Sequence, residues 1–126
     1  GGLREERGWT LVGPERGIRM HDLPYPDGSV AEIYASHVLE HAPYSPSLPT
    51  SVPSTLSEWV RVLAPGGMLR VSVPDLRALA GIYADGRTGD EGRFRVMRMM
   101  YGGQVDDDDF HRVGLEEVTM KEYLRA

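Results

Sequence analysis

Two hydrophobic periods take turns along this chain, an alternation of two in short stretches and a helical spacing in longer ones. Trp9-Thr10-Leu11-Val12 is a short apolar run stopped by Gly13-Pro14, which predicts a strand entering a turn. Ile18 to His21 alternates apolar and polar before Asp22 and predicts a second short strand. Pro24-Tyr25-Pro26-Asp27-Gly28-Ser29 predicts a rigid turn, because proline fixes φ and glycine permits the reversal. Val30 to Ala35 is apolar on both faces apart from Glu32, the pattern of a strand near the centre of a sheet.

Val38 to His41 begins a helical turn, and the Pro/Ser-rich stretch from Pro43 to Ser54 predicts a surface loop. Thr55-Leu56-Ser57-Glu58 reads as a capping box, with Thr55 as N-cap and Glu58 three residues on. Leu56, Trp59, Val60 and Leu63 supply the buried face of the helix that follows. Pro65-Gly66-Gly67 ends it, and Met68 to Val73 alternates as the clearest strand of the chain. Leu76, Leu79, Ile82 and Tyr83 predict a second helix; Phe94, Val96, Met97, Met100 and Tyr101 predict a third; Leu115 to Leu124 predicts a fourth. Strands interleaved with helices predict an α/β fold. There is no internal repeat and no sign of a second domain.

At 126 residues, with 40% hydrophobic and 26% charged positions, the chain suits a single globular domain. A formal charge of -5 argues against a nucleic-acid binder, which presents a basic stripe. The absence of cysteine excludes disulfide frameworks, thiolate metal sites and a cysteine nucleophile. No apolar run approaches a membrane span, and Gly-Gly-Leu-Arg-Glu-Glu-Arg at the start is no signal peptide, so a cytoplasmic location is expected. Both ends look cut, since the chain starts without Met and stops within an amphipathic pattern.

Several residues carry candidate chemistry. Asp22, directly after an expected strand, is placed to accept a hydrogen bond from an exocyclic amine, or simply to start a turn. Ser36 and His37 close the central strand, with Ser36 as a helix cap being the competing reading. His37-Val38-Leu39-Glu40-His41 matches a zinc-peptidase string, but that chemistry needs a long helix through both histidines, and Pro43 forbids one. No metal is expected from it. Asp75 is explained as the N-cap of the next helix or as a residue facing substrate. His111 is a candidate general base, or a histidine anchoring a turn. Asp106 to Asp109 lacks the spaced ligands of a calcium loop and is expected to face solvent.

From Asp22 to Asp75, through V-L-E-H and L-A-P-G-G, the residues resemble a class I S-adenosylmethionine-dependent methyltransferase, most closely the type 11 group. The resemblance implies a Rossmann-like, mostly parallel sheet with flanking helices. It is expected to be incomplete here, with the family's first strand and last strands missing and its glycine loop reduced to a tail. It implies S-adenosylmethionine as cofactor, with Asp22 on the adenine amino group and the Leu23 amide at the ring. Ser36 and His37 would lie under the methionine part. Gly1 and Gly2 look like the tail of the glycine loop, and Glu15 stands two residues late for the ribose acid. Tyr101-Gly102-Gly103-Gln104 with Asp109-Phe110-His111 is similar to an insertion in predicted methyltransferases of surface-polysaccharide genes, which puts His111, or His37, near the acceptor.

The expected function is methyl transfer to an oxygen or nitrogen of a small-molecule or saccharide-like acceptor, with no membrane or nucleic-acid partner. The alternatives are a non-catalytic α/β interaction module and, behind it, a zinc hydrolase using His37, Glu40 and His41.

Overall fold

The computed structural model describes residues 8–125. Gly1 and Gly2 lie outside the described residues. Two strands, β1 (Val30–Ser36) and β2 (Leu63–Ser72), pair in parallel. Parallel neighbours need a crossover, and helix α1 (Val52–Val62) supplies it after a 3-10 turn at Leu39–His41. Helices α2 (Leu76–Ala84), α3 (Asp90–Tyr101) and α4 (Glu117–Arg125) follow. The mixed α/β class is therefore the one the sequence predicts, with a two-stranded parallel sheet among the described residues.

Register runs from Glu32 opposite Met68 to Ser36 opposite Ser72, and it is broken near the start, where Val30 faces Leu63. The Pro65-Gly66-Gly67 turn absorbs that break. Gly66 has φ of 78°, and a Cβ on Gly67 would fall 2.8 Å from the Ala64 carbonyl oxygen and 3.0 Å from that of Ala31. Glycine is required here for the return into β2, not to end α1: the residue closing that helix, Leu63, is extended.

The core lies on one side of the sheet. Ile33 and Ala35 of β1 and Leu69 and Val71 of β2 join a cluster with Leu39, Val52, Leu56 and Trp59, and with Met120 and Tyr123 from α4. Each fully buried aliphatic side chain contributes about 1.5–3 kcal/mol. The opposite face does not match the expectation of a strand apolar on both sides. Tyr34 is 63% exposed and Met68 51%, with a Glu32–Arg70 ion pair at 2.9 Å across the strands.

Several boundaries differ from the sequence reading. Residues 9–12 and 18–21 are not strands. A strand must hand its backbone groups to a neighbour, and none of the described residues pairs with 9–12. Residues 19–22 instead form a tight reversal, with the Asp22 amide donating to the Arg19 carbonyl at 3.1 Å. The Trp59 indole N–H holds that reversal by donating to the Met20 carbonyl at 2.8 Å. Helix α1 starts at Val52, inside the expected loop. Ser51 is its N-cap, accepting from the Ser54 amide at 3.2 Å, and Thr55 is a buried interior residue. Its buried face is Val52, Thr55, Leu56, Trp59 and Val62, while Val60 is 62% exposed. On α3 only Val96 is buried; Phe94, Met97 and Tyr101 lie exposed.

Candidate functional site

The carboxyl ends of β1 and β2 lie side by side, the edge at which open α/β sheets receive ligands. Ser36 is the last residue of β1 and not a helix cap; it stands opposite Ser72. The next amide, His37, donates to the Ser72 carbonyl at 2.7 Å. His37 has φ of 54°, uncommon for a residue with a Cβ, and this turns the chain off the strand into the Leu39–His41 turn. Asp75 caps α2 through the Arg77 amide at 3.1 Å, the structural one of its two expected roles. The Leu76 amide donates to Leu115 at 2.8 Å, which draws the 110–115 segment to the same edge.

That segment is stitched onto the β1 exit. The amides of Arg112 and Val113 donate to the Glu40 carbonyl at 2.8 and 3.3 Å. His41 Nδ1 lies 2.9 Å from the Phe110 carbonyl, and His111 Nδ1 lies 2.8 Å from the Met99 carbonyl. The two imidazoles meet edge to face, 4.9 Å between centroids. Beside them sits Glu40, 1% exposed, with neither carboxylate oxygen hydrogen-bonded. His37 Nδ1 and His111 Nε2 each stand 3.8 Å from its Oε1, beyond hydrogen-bond reach. A cavity of about 20 Å³, lined by Glu40, Leu79, Met99, Met100, His111 and Val113 among others, adjoins them.

His37 and His111 are thus brought together around Glu40. The string His37 to His41 does not form the helix that a zinc peptidase needs; its Glu40 and His41 instead converge with His111. Glu40 and His41 enter the sequence reading of candidate chemistry only through the zinc-peptidase string. The overlooked signal was a carboxylate set in the apolar run Val38-Leu39-Glu40, where only a partner of opposite or donor character makes burial tolerable.

The residues expected at the adenine lie apart from this cluster, against α1. The Asp22 carboxylate is exposed and meets no hydrogen-bond partner among the described residues, so it is open to an incoming amine. The Leu23 amide is not open: it donates to Glu58 Oε2 at 2.7 Å. Arg61 completes this clamp, reaching Glu58 through two nitrogens at 2.6 and 2.9 Å, Asp27 at 2.7 Å, and the carbonyls of Tyr25 and Leu23. The Arg61 hydrogen bonds hold the Glu58 carboxyl below its ordinary range, against the opposing effect of burial and with help from the Leu23 amide. The same contacts, Glu58 first and then Asp27, push the guanidinium up. Glu15 stands in a 3-10 turn, Pro14–Arg16, with its carboxylate folded back over Gly13. Asp106 to Asp109 is largely exposed, as expected; Asp107–Asp109 is a 3-10 turn capped by Asp106, which accepts from the Asp108 amide, while Asp109 accepts from the Val105 amide.

No helix among the described residues is long and apolar enough to cross a membrane. Residues 13–71 match the model of a family described as a methyltransferase domain. No curated protein and no solved structure gives a significant match.

Proposed function

Since residues 13–71 match the model of the methyltransferase domain family, we propose that this chain is of the class I S-adenosylmethionine-dependent kind and serves methyl transfer to an oxygen or nitrogen of a small-molecule or saccharide-like acceptor in the cytoplasm. The observation that carries this reading is the parallel β1–α1–β2 unit inside the matched segment, with Ser36 and His37 at its carboxyl edge. The cofactor supplies a methyl group already activated on a sulfonium, so the protein's share is binding, alignment and exclusion of water. Asp22 would accept from the adenine amino group, Glu15 would meet the ribose hydroxyls, and Gly1 and Gly2 would approach the remaining cofactor atoms. Ser36 and the His37 backbone would border the methionine part. The residues present fit in part. Asp22 is free, whereas the Leu23 amide must leave Glu58 before it can face a ring.

Of the two histidines named as bases, His37 is the better placed to take a proton from an acceptor. Its side chain is 60% exposed at the sheet edge, while that of His111 is 13% exposed and has Nδ1 engaged with Met99. His111 then lines the small cavity beside Glu40.

The engaged Leu23 amide and the exposed Tyr34–Met68 face favour a second reading, an α/β interaction module without catalysis. Calorimetric titration with S-adenosylmethionine and S-adenosylhomocysteine separates the two. The chain, or a version extended at its N-terminus, should bind both at micromolar concentration, and Asp22→Ala should weaken binding at least about tenfold. Absence of binding to either form removes the enzymatic reading.

A further inference from the structure

We propose that Glu40, His41 and His111 form a site for one divalent transition-metal ion, with zinc as the ion best matched to two imidazoles and a carboxylate. The inference goes beyond the methyltransferase reading and does not rest on it. Its first support is the tautomer that the fold imposes. A backbone carbonyl only accepts, so the contacts to Phe110 and Met99 put the proton of each neutral ring on Nδ1. The Nε2 lone pairs of His41 and His111 are then left as ligands, the arrangement by which outer hydrogen bonds orient metal-binding histidines.

The second support is Glu40. Its carboxylate is buried, has no hydrogen-bond donor on either oxygen, and has His111 Nε2, an acceptor in this tautomer, 3.8 Å from Oε1. Acceptors facing one another across a buried gap repel unless a cation stands between them. One ligand atom from each of the three residues lies within 4.8 Å of the others. Ligands on a tetrahedral zinc, at about 2.0–2.1 Å from the ion, stand about 3.3 Å apart. The Glu40 Oε1 to His111 Nε2 separation of 3.8 Å is therefore about 0.5 Å wider than a loaded site, within reach of small side-chain rotations. Ring planes 87° apart are compatible with this, because coordination fixes the direction of each lone pair and not the roll of the ring about it.

The third support is preorganisation. His111 is brought to Glu40 and His41 by the Arg112 and Val113 amides on the Glu40 carbonyl, so the donors converge without a metal. Three protein ligands leave a fourth position, the pattern of a site that takes an exogenous oxygen or nitrogen ligand. His37, beside Glu40 and exposed, stands at the approach.

The test is titration of the chelator-treated full chain with zinc chloride against a competing chelator, in parallel with cobalt(II) absorption. One zinc per chain is expected, together with an intense tetrahedral cobalt spectrum that zinc abolishes. His41→Ala and His111→Ala should each weaken zinc by about 100-fold or more, Glu40→Gln by about 10–100-fold, and His21→Ala by nothing. Urea denaturation of each variant separates lost ligation from lost folding, and the cobalt spectrum of the unaltered chain stands whatever the variants do. No zinc binding, zinc affinity equal in the unaltered chain and the histidine variants, or cobalt bound only with the weak spectrum of the aqua ion would overturn the site.

Discussion

The N-terminus of α1 offers a paired test in which sequence and structure give opposite signs. Read as a capping box, Thr55 is the N-cap, and Thr55→Val should cost about 1 kcal/mol while Ser51→Ala in a loop costs nothing. In the structure Ser51 is the cap, with its Oγ taking the Ser54 amide at 3.2 Å. Thr55 is 0% exposed one turn inside the helix, and its Oγ1 has no partner. A buried hydroxyl without a partner carries a penalty of about 1–3 kcal/mol. Valine replaces it with a methyl group of similar size and similar helix propensity, although the tight packing returns part of the gain. Thr55→Val should therefore stabilise by about 1 kcal/mol and Ser51→Ala destabilise by about 1 kcal/mol. The two midpoints should stand about 2 kcal/mol apart in urea denaturation followed by circular dichroism, with unchanged slope. In thermal scans each kcal/mol corresponds to about 4 °C at this length. A destabilised Thr55→Val beside a neutral Ser51→Ala would refute the helix start at Val52.

Glu58→Gln should loosen the Leu23–Asp27 loop and destabilise the chain at neutral pH. Because the folded carboxyl titrates below its ordinary value of 4.5, its contribution is present above that value and lost as pH falls through the lower, folded one. The gap between variant and unaltered chain, measured by urea denaturation from pH 7 to 3, should accordingly close below about 4.5; a gap independent of pH would sink the clamp. Gly102→Ala should cost more than about 2 kcal/mol, since φ is 85° and the added Cβ would strike the Asp109 carbonyl. Denaturation near the unaltered midpoint would show that the 102–111 loop is free to give way.

What the sequence carried and what it withheld follow from the range of the interactions. Helices α2 and α4 were legible because each has an unbroken local period, with Asp75 punctuating α2. Of β2 only the alternating part from Met68 was legible, since its start at Leu63, read as the end of the helix, depends on pairing with Val30. Residues 9–12 and 18–21 were misread because apolar alternation reports burial against something, not pairing. Met20 and Leu23 do pack on the core, yet a reversal held by the Trp59 indole puts them there. Val60 and the α3 face were misjudged for the same reason, since periodicity names a stripe but not the surface that covers it. Asp22 and Leu23 were assigned to the adenine by resemblance alone. That the Leu23 amide is spent on Glu58 depends on a contact spanning 35 residues, which no local pattern carries.

The Glu40 cluster marks the limit most sharply, because its parts come from two segments about 70 residues apart that no local pattern joins. His37 and His41 have the spacing of a metal pair on a helix, a reading set aside because Pro43 forbids that helix. The chain at this point is not an α-helix: His37 turns with positive φ, and three residues of 3-10 geometry follow. The partner that completes the set comes from the 110–113 segment, carried there by backbone hydrogen bonds to the Glu40 carbonyl. Glu40 thus holds the two segments together through its main chain and presents its carboxylate to both through its side chain. That double use gives a charged residue a reason to sit in an apolar run, and it predicts a separable pair of effects. Glu40→Gln keeps the carbonyl and the stitching, so the fold should persist while the affinity for a cation falls.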